Sequence, residues 1–189
     1  MFINKLSKEA DEELVRLVQQ GNERALTELY SRYSKKLVRY FHRMLWKDEP
    51  KAQDFLHDLF VKLIEAPDRM DVNRPFSTWI YSVAHNMCKN EYRKQNFRNG
   101  VNGKWVNGQG VEFMQNVIDH QAFQVQLENF LSQADENDKG LFIMRYELEL
   151  TVAQIATILE IPEGTVKSRL FYLKKKLADM LKVFNPAMN

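Results

Sequence analysis

Residues 165 to 175 read TVKSRLFYLKK, and these side chains could bind a polyanion and read it. On a helix with Val166 at the origin and about 100° per residue, Leu170, Leu173 and Leu177 fall close to Val166 and form an apolar stripe. Ser168, Phe171 and Lys175 lie opposite, with Tyr172 on one flank and Lys167 and Lys174 on the other. Thr165 and Arg169 complete the candidate set. Cations suit phosphates, a hydroxyl suits a base edge, and an apolar ring suits a thymine methyl, so the face has the chemistry of a major-groove reader. Alone, Phe171 could equally pack beneath another helix. The preceding residues favour DNA. Thr151 and Gln154 make a capping box, Val152, Ile155, Ile158 and Leu159 face inward, and Ala156 is small where two helices must approach. Glu160-Ile161-Pro162 then makes the turn of a helix-turn-helix.

Two further segments carry candidate groups. Over residues 50–65, Leu56, Leu59, Phe60 and Leu63 form a buried stripe. Asp54, Asp58, Val61 and Glu65 lie opposite, with Lys62 beside them and His57 on the same helix. An acidic face with an exposed valine suits a protein partner, or it is simply solvated. Asp54 and Asp58 are spaced to touch a metal, but nothing nearby completes a site. Over residues 76–95, Trp79, Ile80, Val83 and Met87 make an inward stripe, which makes Trp79 a core residue rather than a stacking platform. Thr78, Tyr81, Ser82, His85, Lys89 and Tyr92 fall on the other face, where rings and cations suit unpaired bases. Catalysis has no support: there is no P-loop, no nucleophile elbow, and the four histidines have no metal-ligand spacing.

The elements that position these groups are predicted to be helices throughout. Ala25, Leu29, Tyr33, Leu37, Phe41 and Met44 recur at helical spacing, and no strand alternation is convincing. Loops fall at WKDEP, ending at Pro50, and at APDRMDVNRP, residues 66–75. Residues 96–110, NFRNGVNGKWVNGQG, are rich in Gly and Asn and aperiodic, which reads as a flexible linker. The chain is therefore expected to be all-α, with a helical domain at 1–95, a linker at 96–120 and a helix-turn-helix domain at 121–189. Trp105 could anchor the linker on a partner or tuck back onto the chain's own surface.

Of 189 residues, 44% are hydrophobic and 28% charged, enough for a core in a soluble protein. Net charge is only +2. Its distribution is more telling: residues 131–162 hold two Lys+Arg against six Asp+Glu, while residues 163–189 hold six against two. Such a dipole orients a module on a polyanion. No apolar run spans a membrane, the N-terminal residues lack the apolar core of a signal peptide, and a single cysteine, Cys88, suits a reducing cytoplasm.

TVAQIATILEIPEGTVKSRLFYLKKKL resembles region 4 of bacterial RNA polymerase sigma factors of the extracytoplasmic-function (ECF) type, most sharply at GTVKSRL. GNERALTELYSRY, KAQDFLHDLFVKLIEAP and RPFSTWIYSVAHNMCKNEYRK resemble successive parts of the same family's region 2. The resemblance implies a transcription initiation factor that has no cofactor or catalytic site. Thr165, Lys167, Ser168, Arg169, Phe171, Tyr172, Lys174 and Lys175 would read the −35 promoter element. Asp68, Arg69, Met70, Asp71, Asn73, Tyr81, His85 and Lys89 would read the −10 element, the loop holding a base flipped from the non-template strand. Asp54, His57, Asp58, Val61 and Lys62 would bind core RNA polymerase on the β′ coiled coil, and the linker would thread the polymerase cleft. The implied partners are core polymerase (β′ and β subunits), promoter DNA and an anti-sigma factor, with a monomer expected when free. The sequence departs from the family's usual residues at several positions: His57 for Gln, Gln53 for Glu, His85 for Arg, Tyr172 for Arg, and Glu149 and Glu160 for turn glycines. A free-standing helix-turn-helix regulator is the rival reading, against which the region 2-like half argues.

Overall fold

The computed structural model describes residues 5–70, 74–98 and 120–181. Among the described residues there are eight α-helices and no strand: α1 Asp11–Gln19, α2 Glu23–Met44, α3 Glu49–Glu65, α4 Phe76–Arg98, α5 His120–Gln133, α6 Glu136–Phe142, α7 Val152–Leu159 and α8 Glu163–Leu181. Helix α4 runs three residues into the segment read as linker. The rest of that segment, with Trp105, and the loop residues Asp71 and Asn73 lie outside the described residues.

Helix α2 is the axis of the N-terminal half. Asn22 caps it by accepting from the backbone N–H groups of Arg24 and Ala25. Its predicted stripe is buried in full: Ala25, Leu29, Tyr33, Leu37, Phe41 and Met44 pack inward as α2 meets α1 and α3. Arg32 then fastens the chain's start to α2, donating to the carbonyls of Leu6, Ser7 and Glu9 and pairing with Asp11 at 2.7 Å and Glu28 at 2.9 Å. The predicted stripe of α3 is also buried, and Asp48 caps its first turn.

Helix α4 corrects the wheel drawn from the sequence. Trp79, Val83 and Met87 are only half buried, whereas Thr78, Tyr81, His85 and Tyr92, expected on the outer face, are buried. The reason is packing on two sides. Helix α4 lies against α1, α2 and α3 and also against α6 and α7, so it is covered on two sides. Tyr81 enters a ring cluster with Tyr33 and Tyr40. The Tyr92 hydroxyl donates to the Met44 carbonyl. The two halves of the chain thus share one continuous core.

In the C-terminal half the helix-turn-helix forms as its sequence predicts. Thr151 and Gln154 make the capping box of α7. Between α6 and α7 the chain winds one π-helical turn, Ile143–Glu147. Glu149 and Glu160, where the family resemblance implies turn glycines, have φ of 57° and 56°. A side chain in this left-handed region costs roughly 1–2 kcal/mol. Part of that is recovered because glutamate has less backbone freedom to lose on folding than glycine. Glu149→Gly and Glu160→Gly are each expected to stabilise the fold by about 0.5–1 kcal/mol, measured as urea midpoints at constant slope. A loss of stability in both would show that these carboxylates make contacts worth more than the strain.

Candidate nucleic-acid and protein interfaces

The C-terminal candidate face is built as the wheel predicts. Val166, Leu170 and Leu173 are buried against the rest of the domain, at 0%, 8% and 3% exposure. Phe171 and Tyr172 stand out at 64% and 61%, with their rings edge to face and 5.5 Å apart. Lys167, Ser168, Lys174 and Lys175 are exposed around them. The Ser168 hydroxyl donates to the Thr165 carbonyl at 3.0 Å, which leaves its oxygen lone pairs for an outside donor. Thr165 and Arg169 are half buried. Arg169, with Lys176, acts electrostatically on Asp138 of α6, so the only arginine of α8 sits at the edge of this face.

The polymerase candidates are accessible. Asp54, His57, Asp58 and Lys62 are exposed and Val61 is half buried. Sequence reasoning missed Ile64, which is 55% exposed on the same side of α3, and Tyr30 of α2, 45% exposed with its ring 4.8 Å from that of Phe60. Ile64 follows Val61 by three residues, so the spacing was there to be read.

The −10 candidates divide. Asp68 and Arg69 are exposed on a short turn, and Lys89 is half buried. Met70, Tyr81 and His85, at 3%, 3% and 4% exposure, are not presented to solvent at all. His85 Nδ1 lies 3.1 Å from the Tyr40 hydroxyl. Burial, with Lys89 adding to it, holds this imidazole neutral by lowering its pKa to about 4. Tyr81 is likewise pushed above the ordinary phenol range by burial, and its hydroxyl lacks a hydrogen-bond partner. Among the described residues no group of His, Cys, Asp and Glu could hold a metal, and no helix is long and apolar enough to cross a membrane.

Comparison with known proteins decides what carries these faces. Residues 29–98 match the Sigma-70 region 2 family and residues 125–177 the Sigma-70 region 4 family. The ECF RNA polymerase sigma factor SigL of Mycobacterium tuberculosis is 31% identical over 150 residues, 79% of this chain and 84% of the relative. The chain belongs to the ECF sigma factor family. SigW of Bacillus subtilis, another ECF sigma factor, is 25% identical over 180 residues, 88% of this chain and 96% of its own. The fold agrees with solved structures. CnrH in complex with the cytosolic domain of CnrY superposes with a TM-score of 0.69 at 20% identity, covering 93% of this chain and 99% of that one. The sigma factor RpoE of Bartonella quintana, in complex with the anti-sigma factor NepR, gives 0.64 at 19% identity, covering 83% and 96%. As an ECF sigma factor the chain is a transcription initiation factor, which directs RNA polymerase to promoters; its family is not one of enzymes.

Proposed function

We propose that α8 of this sigma factor reads the −35 element and that α4, with the 66–75 loop, contacts the −10 element. The observation that carries this reading is the exposure of Phe171 and Tyr172 away from a stripe whose members Val166, Leu170 and Leu173 are buried and Leu177 half buried: packing does not need the two rings there. Thr165, Lys167, Ser168, Lys174 and Lys175 supply the polar and cationic contacts around the rings. At the −10 element the accessible members are Asp68, Arg69 and Lys89. Asp71 and Asn73 complete the loop in sequence. Asp54, His57, Asp58, Val61 and Lys62 form the contact with core polymerase, on the β′ coiled coil, and Ile64 adds an apolar anchor to it. The division into 1–95, 96–120 and 121–189 follows from these roles. An anti-sigma factor is the expected regulator, the cytoplasm the expected compartment and a monomer the expected free state. No step of bond chemistry is assigned to the chain.

The test is transcription in vitro with purified core polymerase on fragments of the source genome. Specific new start sites should appear only when the protein is added. Their absence would sink the reading. A strong footprint by the protein alone, without polymerase, would favour a free-standing regulator.

A further inference from the structure

Helix α4 carries Lys89, Arg93, Lys94 and Arg98, and a single acidic residue, Glu91, among them. A carboxylate at this place opposes phosphate binding in two ways. It repels the DNA backbone, and, three residues before Lys94, it is spaced to pair with that lysine and occupy it. In the folded chain the carboxylate is already taken. Glu91 Oε1 accepts from Nζ of Lys51 of α3 at 2.7 Å, and the two side chains are only 12% and 26% exposed. Among the described residues, Lys89, Arg93 and Lys94 stand in no ion pair. Glu136 of α6 acts on Lys89 and Arg93 electrostatically but pairs with neither. The turn between α2 and α3 holds Lys51 in place. Trp46 and Lys47 both take left-handed backbone there, with φ of 55° and 62°. Such backbone in a bulky residue persists only where its surroundings fix it. The Trp46 ring packs on the Tyr92 ring of α4, with centroids 4.7 Å apart, and Lys51 Nζ stands 5.5 Å from the Trp46 ring centroid. A lysine side chain is long and flexible, so a platform that confines it lowers the entropy cost of the ion pair.

We propose that Lys51 is a positioning residue for promoter binding: from α3 it holds the Glu91 carboxylate, and so keeps Lys94 and its neighbours on α4 free for DNA phosphates. The proposal deepens the assignment of α4 to the −10 element and rests on it. Lys51 touches no DNA in this role. It acts through Glu91 alone, which fixes the sign of each substitution. Without Lys51, a free carboxylate stands beside the phosphate contacts. Without the Glu91 charge, there is nothing to hold and Lys51 becomes dispensable. The pair is thus a charge shield more than a stabilising bridge, since partly exposed ion pairs contribute little to folding.

The test is a cycle of Lys51→Met, Glu91→Gln and the two combined. It is read as the promoter affinity of pre-formed holoenzyme on a fragment that the transcription assay selects. Lys51→Met should lose affinity by about fivefold, and its salt slope should fall by about one as Lys94 is drawn off the backbone. Glu91→Gln should match the wild type or bind more tightly. The combined variant should match Glu91→Gln, with the loss erased. Lys51→Arg keeps a cation on Glu91 and should keep wild-type affinity. Urea midpoints and affinity for core polymerase, measured in parallel, should be alike across the set. If Lys51→Met does not fold, Lys51→Gln alone and with Glu91→Gln carries the same comparison. A Glu91→Gln variant as damaged in DNA binding as Lys51→Met would make the pair a structural bridge and overturn the shield. A loss that persists in the combined variant would mean that Lys51 contacts phosphate itself, which also overturns it. Failure of the underlying assignment shows elsewhere: Lys89→Ala with Lys94→Ala would leave affinity and salt slope unchanged. If that variant weakens binding while Lys51→Met does not, the assignment stands and the shield alone falls.

Discussion

Phe171→Ala combined with Ser168→Ala should lower holoenzyme affinity for its upstream promoter element by about a hundredfold, since each lost base contact is worth roughly 1–3 kcal/mol. The fold should survive, because Phe171 is 64% exposed and Ser168 bonds only to a carbonyl of its own helix. Thermal melting and binding to core polymerase should therefore match the wild type. The chemistry can be tested on the DNA as well. Replacing thymidine by deoxyuridine, one position at a time, removes only a methyl group. One or two such replacements should mimic the Phe171 variant, and the variant should be indifferent to them. Lys175→Ala is the contrast: it should weaken binding to all sequences alike and reduce the salt slope by about one. If the double variant unfolds instead, Phe171 is a packing residue and α8 has no reading face. With Tyr172 where the family resemblance implies arginine, and Arg169 half buried at the edge of the face, α8 lacks a central guanidinium to grip guanine. Its preferred element should therefore lean on thymine methyls rather than on guanines.

The second large effect concerns acid. His85 is 4% exposed, and its pKa lies at about 4 in the folded chain against an ordinary 6.5. A depressed pKa means that the folded state binds the proton less readily than the unfolded state. Above pH 6.5 both states hold a neutral ring and stability is unaffected. As pH falls from 6.5 to about 4 the unfolded state gains the proton first, and stability declines by an amount on the order of 3 kcal/mol. Urea melts at several pH values should show this decline in the wild type. His85→Gln, which can still bond to Tyr40 but cannot titrate here, should show much less of it. His85→Arg, which installs the residue that the family resemblance implies here, should be more damaging at neutral pH. It puts a permanent charge where a neutral ring, 4% exposed, sits beside the Tyr40 hydroxyl. A pH profile that is the same in wild type and His85→Gln would place the acid sensitivity in another group.

The two halves of the chain differ in how much could be read in advance. In α7 and α8 the capping residues, the turn and the buried stripe are all local, and each agrees with the fold. An amphipathic helix with one covered side shows its solvent face in its spacing alone, so Phe171 and Tyr172 could be placed outside before any coordinates. The stripes of α2 and α3 were legible for the same reason.

Helix α4 defeated that logic. A periodic pattern marks the covered side when there is only one. Here α1, α2 and α3 cover one side and α6 and α7 another, so Tyr81, His85 and Tyr92 are buried although their types suit a wet surface. Met70 was misplaced similarly, being tucked inward from a loop otherwise rich in turn residues. Nor could spacing reveal the pairing of Arg43 with Glu128 and Glu147, which lie 85 and 104 residues further along the chain. The helices, the exposed face of α8, the accessible face of α3 and the family are all legible in local spacing and motifs. That the two halves close on each other through Arg43 and Gly140 shows only in the folded chain, because burial between halves depends on long-range contacts that leave no period in the sequence.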